Sequence, residues 1–232
     1  MNVLRAGAAI VAGAVLVVGA QAAYRLAPLE VREVEVVGNS GRRVSPAGIV
    51  AISGISKGDR ILGISTSRVV RRITAHPWIA RARVERILPS KVRVEVVERV
   101  PAVVLVTGRG PYLVDSEGVV LQQGNENLVN LLDVPATHLE PGSRVTAREF
   151  IHSLRIYRGL PKEVRGTVAL IRAPTIDGIR FELFDGSSIF YGAGEKLTEK
   201  NTAVLSLLNA PPKGAPRLID VRVPGRPAFR PL

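Results

Sequence analysis

The side chains best suited to catalysis are few and scattered along this chain. Its 232 residues include three histidines, His76, His138 and His152, and no cysteine. No H-E-x-x-H segment occurs and no two histidines have the spacing of a shared metal site, so neither a zincin nor a thiolate centre is encoded locally. His76 stands before Pro77 at the end of a helical pattern, where a histidine caps or faces water. No G-x-S-x-G elbow is present. Gly192-Ala193-Gly194-Glu195-Lys196 has the glycines of a phosphate loop without its spacing, and it reads as a strand-to-helix turn. Asp115 and Asp185 stand in turn segments, where aspartate bonds its own backbone, and nothing pairs them as acid and base. The residues predict no catalytic group, no metal, no cofactor and no small-molecule substrate. They predict a protein that works through its surface and is not an enzyme.

Charge says where that surface is basic. The chain carries a formal +12. Residues 31–100 hold fourteen Lys and Arg against six Asp and Glu, whereas residues 101–232 hold sixteen against thirteen. A basic surface suits nucleic acid, anionic lipid or acidic polymers. Nucleic acid is the poor fit, because aromatics are 4% of the residues and the basic positions alternate with apolar ones along strands, without a recognition helix.

Ala6 to Tyr24 contain no charged residue, with Arg5 before the run and Arg25 after it. At ~1.5 Å per residue the run spans about 28 Å, close to the ~30 Å hydrocarbon core of a bilayer. It predicts a transmembrane helix over 6–25, with 1–5 as a short cytoplasmic leader and the rest of the chain exported. Ala20-Gln21-Ala22 also has the small-residue pattern of a signal-peptide cleavage site, so these residues leave anchor and cleaved signal both open.

Local signals order the next seventy residues. Val31 to Val37 alternates as a strand and ends at Gly38-Asn39. Ser45-Pro46 starts a helix, with an apolar stripe at Ile49, Ile52 and Ile55 that Gly54 or Gly58 closes. Ser65 or Ser67 starts a second helix through Val69, Val70 and Ile73. Ile79–Ile87 and Lys91–Val97 then form a hairpin around Leu88-Pro89-Ser90, with Val92, Val94 and Val96 on one face and Lys91, Arg93 and Glu95 on the other. The order β-α-α-β-β predicts a small α+β domain.

This layout resembles a POTRA domain. The segment from Pro77-Trp78-Ile79 through Ala82-Arg83-Val84-Glu85-Arg86 to Pro89-Ser90-Lys91-Val92-Arg93-Val94-Glu95-Val96-Val97-Glu98-Arg99-Val100-Pro101 resembles the signature of the FtsQ/DivIB cell-division family. Leu88 stands where an aromatic is frequent, and Val92 where leucine is. The resemblance continues at Tyr112-Leu113-Val114-Asp115-Ser116-Glu117-Gly118-Val119-Val120-Leu121 and at Arg217-Leu218-Ile219-Asp220-Val221-Arg222-Val223. Between them, Arg148–Gly159 and Glu195–Leu208 read as helices, and Val168–Ile171, Ile179–Phe184 and Ser188–Tyr191 as strands joined by Asp-Gly turns.

The resemblance implies an N-terminal transmembrane helix, a β-α-α-β-β POTRA domain over 29–99, and a mixed β-rich domain with two helices over 100–223. A Pro-rich C-terminal tail over 224–232 follows. It further implies a bitopic divisome scaffold that recruits other division proteins and helps control septal peptidoglycan synthesis. Such a protein sits in the plasma (inner) membrane at the division septum, with its C-terminal domain extracytoplasmic. The implied partners are divisome membrane proteins of the FtsB/DivIC and FtsL type, docking on the terminal strand region at Leu218, Asp220, Arg222, Val223 and Gly225. Leu218–Val223 is expected at a sheet edge, where unpaired backbone groups are offered to a partner. Two other readings share parts of this pattern. A POTRA-containing secretion or assembly component needs repeated POTRA units or a barrel, and an envelope-metabolism enzyme needs a cleft with convergent carboxylates.

Overall fold

The computed structural model describes residues 29–136, 139–210 and 217–231. The leader and transmembrane expectations over 1–25 lie outside the described residues, as does His138. Among the described residues no helix is long and apolar enough to cross a membrane. The chain is α+β, and it divides into two compact units, 29–73 with Arg81–Val97, and Thr74–Ala80 with 98–231.

The first unit follows the expected order. Strand β1 (Glu33–Val37) is followed by helix α1 (Pro46–Ser53), a 3-10 turn at Ile61–Gly63, helix α2 (Thr66–Thr74), and the hairpin β2 (Ile79–Ile87) and β3 (Lys91–Glu98). The caps are those the residues encode. The Ser45 hydroxyl accepts the Gly48 N–H at 3.0 Å, Pro46 opens α1, and Gly54 closes it in the left-handed region at φ 67°. The sheet order is β1-β3-β2, with β1 parallel to β3. Alternation along β3 buries Val92, Val94 and Val96. Ile49 of α1 and Val69 and Ile73 of α2 are also buried. On the opposite face the register sets Glu33 beside Lys91 and Glu35 beside Arg93. Lys91 bridges both glutamates at 3.2 and 3.1 Å, and Arg93 reaches Glu35 at 2.9 Å. These pairs are solvated, so they settle register more than they add stability.

The second unit is one nine-stranded sheet with helices. Its strands are β4 (Pro101–Thr107), β5 (Gly110–Asp115), β6 (Val120–Gln123), β7 (Asn130–Leu132), β8 (Val168–Arg172), β9 (Arg180–Leu183), β10 (Ser188–Phe190), β11 (Arg217–Asp220) and β12 (Ala228–Pro231). Its helices are α3 (Arg148–Gly159), the single turn α4 (Lys162–Arg165) and α5 (Leu197–Asn209). The spatial order is β12-β11-β10-β9-β8-β7-β4-β5-β6. Strand β7 is parallel to both neighbours, β4 and β8, and β10 is parallel to β11, while the other neighbours pair antiparallel. Phe150, Leu154 and Ile156 of α3 and Val204 of α5 pack with Leu105, Ile171, Phe181, Ile189 and Ile219 from the sheet in one core. Strands β4 and β7 and the turn α4 have no counterpart in the sequence expectations. The β4 segment is almost continuously apolar and β7 is three residues long, so neither shows a strand period.

The C-terminus departs from expectation. The Leu218–Val223 strand was expected at the sheet edge, ahead of a tail over 224–232. Instead Ala228–Pro231 within that segment pairs antiparallel with β11 and takes the edge itself. The turn through Pro224 and Gly225, with the Arg226 N–H bonded to the Val223 carbonyl at 2.9 Å, reverses the chain.

Candidate functional site

The terminal sheet edge is built in layers. Val221 donates its N–H to the Phe190 carbonyl at 3.0 Å, so the backbone groups of Ile219, two residues earlier, also face β10. Those of Leu218 and Asp220 therefore face β12. Opposite them stand Arg230 and Ala228. By the same alternation the Phe229 N–H and carbonyl point out of the sheet, with no strand beyond them among the described residues. Pro231 has no N–H, which shortens the open edge. Phe229 is 42% exposed, and the Arg217 guanidinium lies 5.8 Å from its ring centre.

Arg217 anchors this edge from inside. Its side chain is buried and donates to the Leu207 carbonyl in the last turn of α5 at 2.6 Å, while its N–H bonds the Ser187 hydroxyl at 3.0 Å. A cation at a helix C-terminus also meets the negative end of the helix dipole.

The five residues expected to dock a partner are placed as follows. Leu218 and Asp220 lie half-buried on the sheet face opposite the core. Val223 is 61% exposed and Gly225 stands in open space. Arg222 folds back on Asp220: its Nη2 donates to Oδ2 at 2.6 Å and its Nε to Oδ1 at 3.0 Å. The Arg222 N–H also reaches Oδ1, at 3.0 Å. The Phe190 ring lies between Arg222, at 5.8 Å, and Arg180, at 5.2 Å. The same face continues as an ion network, with Arg172 donating to Glu182 and Asp133, each at 2.9 Å. The structure thus gathers Leu218, Asp220 and Arg222 on one charged face. Val223 and Gly225 lie in the reversing turn.

Hydrogen bonds from Arg222 hold the Asp220 carboxyl below the usual carboxylate range, against partial burial, which pushes the other way. The sign follows: this group's contribution to stability is present above its ordinary value of 3.8 and is lost as pH falls through its lower folded value. Replacing Arg222 with glutamine is expected to move the Asp220 titration upward in an NMR pH series. An unmoved Asp220 would show that the pair does not form in solution.

One supporting residue escaped the sequence reading. Lys200 is buried in α5, and its Nζ donates to the carbonyls of Tyr191 at 2.9 Å and Ala193 at 2.7 Å. Burial lowers its pKa, with Glu195, Asp177 and Asp220 opposing. Those two carbonyls flank Gly192, which sits at φ +68°, and a Cβ there would meet the Arg222 Cγ at 3.0 Å. Lys200 therefore fixes the loop against which Arg222 packs. A signal was present: Lys200 falls in the apolar stripe of Leu197 and Val204, where a charge is out of place.

Arg99 and Asp115 were also read apart. Arg99 Nη1 donates to Asp115 Oδ2 at 2.6 Å and to Glu117 Oε2 at 3.1 Å. The other oxygen of Asp115 accepts the N–H groups of Glu117 and Val119, both at 2.8 Å, as expected of a turn aspartate. The two most recognisable stretches, ending in Glu98-Arg99-Val100-Pro101 and centred on Asp115, are therefore joined by an ion pair.

His76 accepts the Trp78 N–H on Nδ1 at 3.3 Å, a local cap. Among the described residues no three His, Cys, Asp or Glu gather to hold a metal.

Comparison with known proteins agrees with this architecture. Residues 29–99 match the family model described as "POTRA domain, FtsQ-type". The cell division protein FtsQ of Mycolicibacterium smegmatis is 30% identical over 183 residues, covering 79% of this chain and 53% of that protein. The chain thus spans about half the length of that relative. FtsQ of Corynebacterium glutamicum is 26% identical over 203 residues, 86% of this chain and 89% of that one. FtsQ of Mycobacterium tuberculosis is 30% identical over 230 residues, 98% of this chain and 69% of its own. With the POTRA match in the first unit and this similarity running through the second, the chain belongs to the FtsQ family of cell division proteins.

Proposed function

We propose that this chain is a bitopic divisome scaffold that captures a partner segment on its terminal sheet edge and has no chemistry of its own. Residues 1–5 form a cytoplasmic leader, 6–25 a membrane-spanning helix, 29–99 the POTRA domain and 100–223 the β domain. Within 224–232, β12 supplies the docking edge. The partners are divisome membrane proteins of the FtsB/DivIC and FtsL type, and capture couples them to septal wall synthesis. The observation that carries this reading is the outward Phe229 backbone on β12, with Leu218 and Asp220 on the neighbouring β11 and Arg222, Val223 and Gly225 in the segment that joins the two strands. An open edge next to an Arg-Asp fork suits an incoming strand that carries an acidic residue.

The test uses the intact chain in dividing cells. A fluorescent fusion is expected at the septum, and detergent extracts should yield the partners with it. Arg222→Glu is expected to reduce partner recovery about tenfold, since it reverses the charge an acidic partner residue would meet and sets a second carboxylate beside Asp220. Septal placement with unchanged recovery would remove the docking site from Arg222. Uniform distribution around the envelope would remove the division role.

A further inference from the structure

The basic side of the first unit has no part in the partner capture proposed for the terminal sheet edge of the second. We propose that it rests on the anionic phospholipid headgroups of the bilayer holding the chain, with Leu62 dipping into the interface. This rests on the membrane anchor over 6–25 proposed above.

The entry of the chain into the unit carries the argument. Leu29–Val31 runs antiparallel to Gly58–Ile61: Ile61 donates to the Leu29 carbonyl at 2.7 Å, Val31 to that of Asp59 at 2.9 Å and Gly58 to that of Val31 at 2.9 Å. Glu30 and Arg60 form the bridge between them. Antiparallel pairing sets a direction. Leu29, the first described residue, therefore stands opposite Ile61, and the residue after Ile61 is Leu62.

Leu62 is 60% exposed at the tip of the 3-10 turn. Its carbonyl accepts Arg86 Nη1 at 3.2 Å. Beside it is a shallow cleft of about 340 Å³ lined by Arg60, Arg68, Arg72, Ser65 and Asp59. Arg60 and Arg68 are exposed and make no ion pair among the described residues. Arg72 donates to the Ser53 carbonyl at 3.3 Å and keeps its charge at the rim. The acids nearby are Asp59, whose carboxylate accepts the Ser56 N–H at 2.8 Å, and the exposed Glu30. The local balance is therefore cationic around an apolar tip.

Tether length makes this surface meet the bilayer. Five steps separate Tyr24, the end of the apolar run, from Leu29. At ~3.6 Å each they extend at most about 18 Å. That upper bound is about two Debye lengths at physiological salt, so the tether is short enough to let the arginines come within the one Debye length, about 8–10 Å, over which a charged surface attracts them. Tethering also keeps the local lipid concentration high, so a few cations suffice where a free protein would need many. Arginine stems lie along apolar surface while their heads stay in water, which fits a headgroup layer.

The test uses the full chain in nanodiscs of phosphatidylcholine alone or mixed with phosphatidylglycerol. The chain has no cysteine, so Ser67→Cys at the start of α2 carries a unique fluorophore, read against headgroup-attached nitroxide lipid. Strong quenching is expected with phosphatidylglycerol and little without it. Arg60→Gln and Arg68→Gln are each expected to lower the ratio of contacting to free molecules about fivefold. Raised salt should act in the same direction, and Leu62→Ser should weaken contact while leaving the lipid preference intact. Circular dichroism of each variant checks folding. Equal quenching in both lipids, or arginine variants indistinguishable from the parent, overturns the proposal while the anchor stands. Loss of the chain from the discs under alkaline extraction overturns the anchor and the proposal together.

Discussion

Replacing Arg99 with methionine is expected to destabilise the second unit by about 3–5 kcal/mol, the range for breaking a buried ion pair from one side. The Asp115 side chain is 5% exposed, and the Arg99 Nη1 that faces it is 2.6 Å away. Methionine fills similar space without a charge, so the carboxylate would be left in the interior with only the N–H groups of Glu117 and Val119. Those two bonds place the effect toward the lower end of the range. Asp115→Asn in the same background should restore part of the loss, because the amide oxygen still accepts and no charge is stranded. Trp78 is the only tryptophan and is buried in this unit, so its fluorescence during urea unfolding of the intact chain reports the change. A loss below about 0.5 kcal/mol, the range of neutral surface changes, would show that the pair does not hold the β5–β6 turn.

Phe229→Pro is expected to weaken capture of the partner segment by at least about fivefold, while leaving the unit folded. The Phe229 N–H points outward from β12, so proline there removes a donor offered to an incoming strand. One backbone hydrogen bond contributes about 1 kcal/mol net, and the ring's clash with the arriving strand adds to it. The ladder to β11 is formed by the backbone of Ala228 and Arg230 and should survive. Phe229→Val separates side chain from backbone: it keeps the donor and removes the ring that meets Arg217. Binding of a labelled partner segment to the intact chain in detergent, followed by anisotropy, distinguishes the outcomes. Proline and valine variants that bind equally would transfer the effect from the edge to the side chain. Unchanged binding in both would remove β12 from the site.

How much was legible in the sequence differs between the units for a physical reason. In the first, each signal acts within a few residues. Ser45, Pro46 and Gly54 bound a helix by capping, and the two-residue period of Val92, Val94 and Val96 places a core face. Cross-strand charges at Glu35 and Arg93 follow once that face is known. In the second unit the Asp-Gly turns and the two long helices were equally local. The candidate site was not. Leu218, Asp220 and Arg222 were placed through a family pattern, and their mutual geometry had no expression in spacing.

The sequence by itself determined the β-α-α-β-β order, the basic character of the first unit, the turn role of Asp115 and membership of a recognisable family pattern. Only the tertiary structure decided that the last residues form β12 and take the edge from β11. It alone joined Arg99 to Asp115 and set Lys200 under the loop that shapes Arg222. Capping, alternation and turn formation are settled by neighbours along the chain. Which strand lies outermost, and which cation meets which buried acceptor, is settled by competition among partners far apart in sequence that only the assembled sheet brings together.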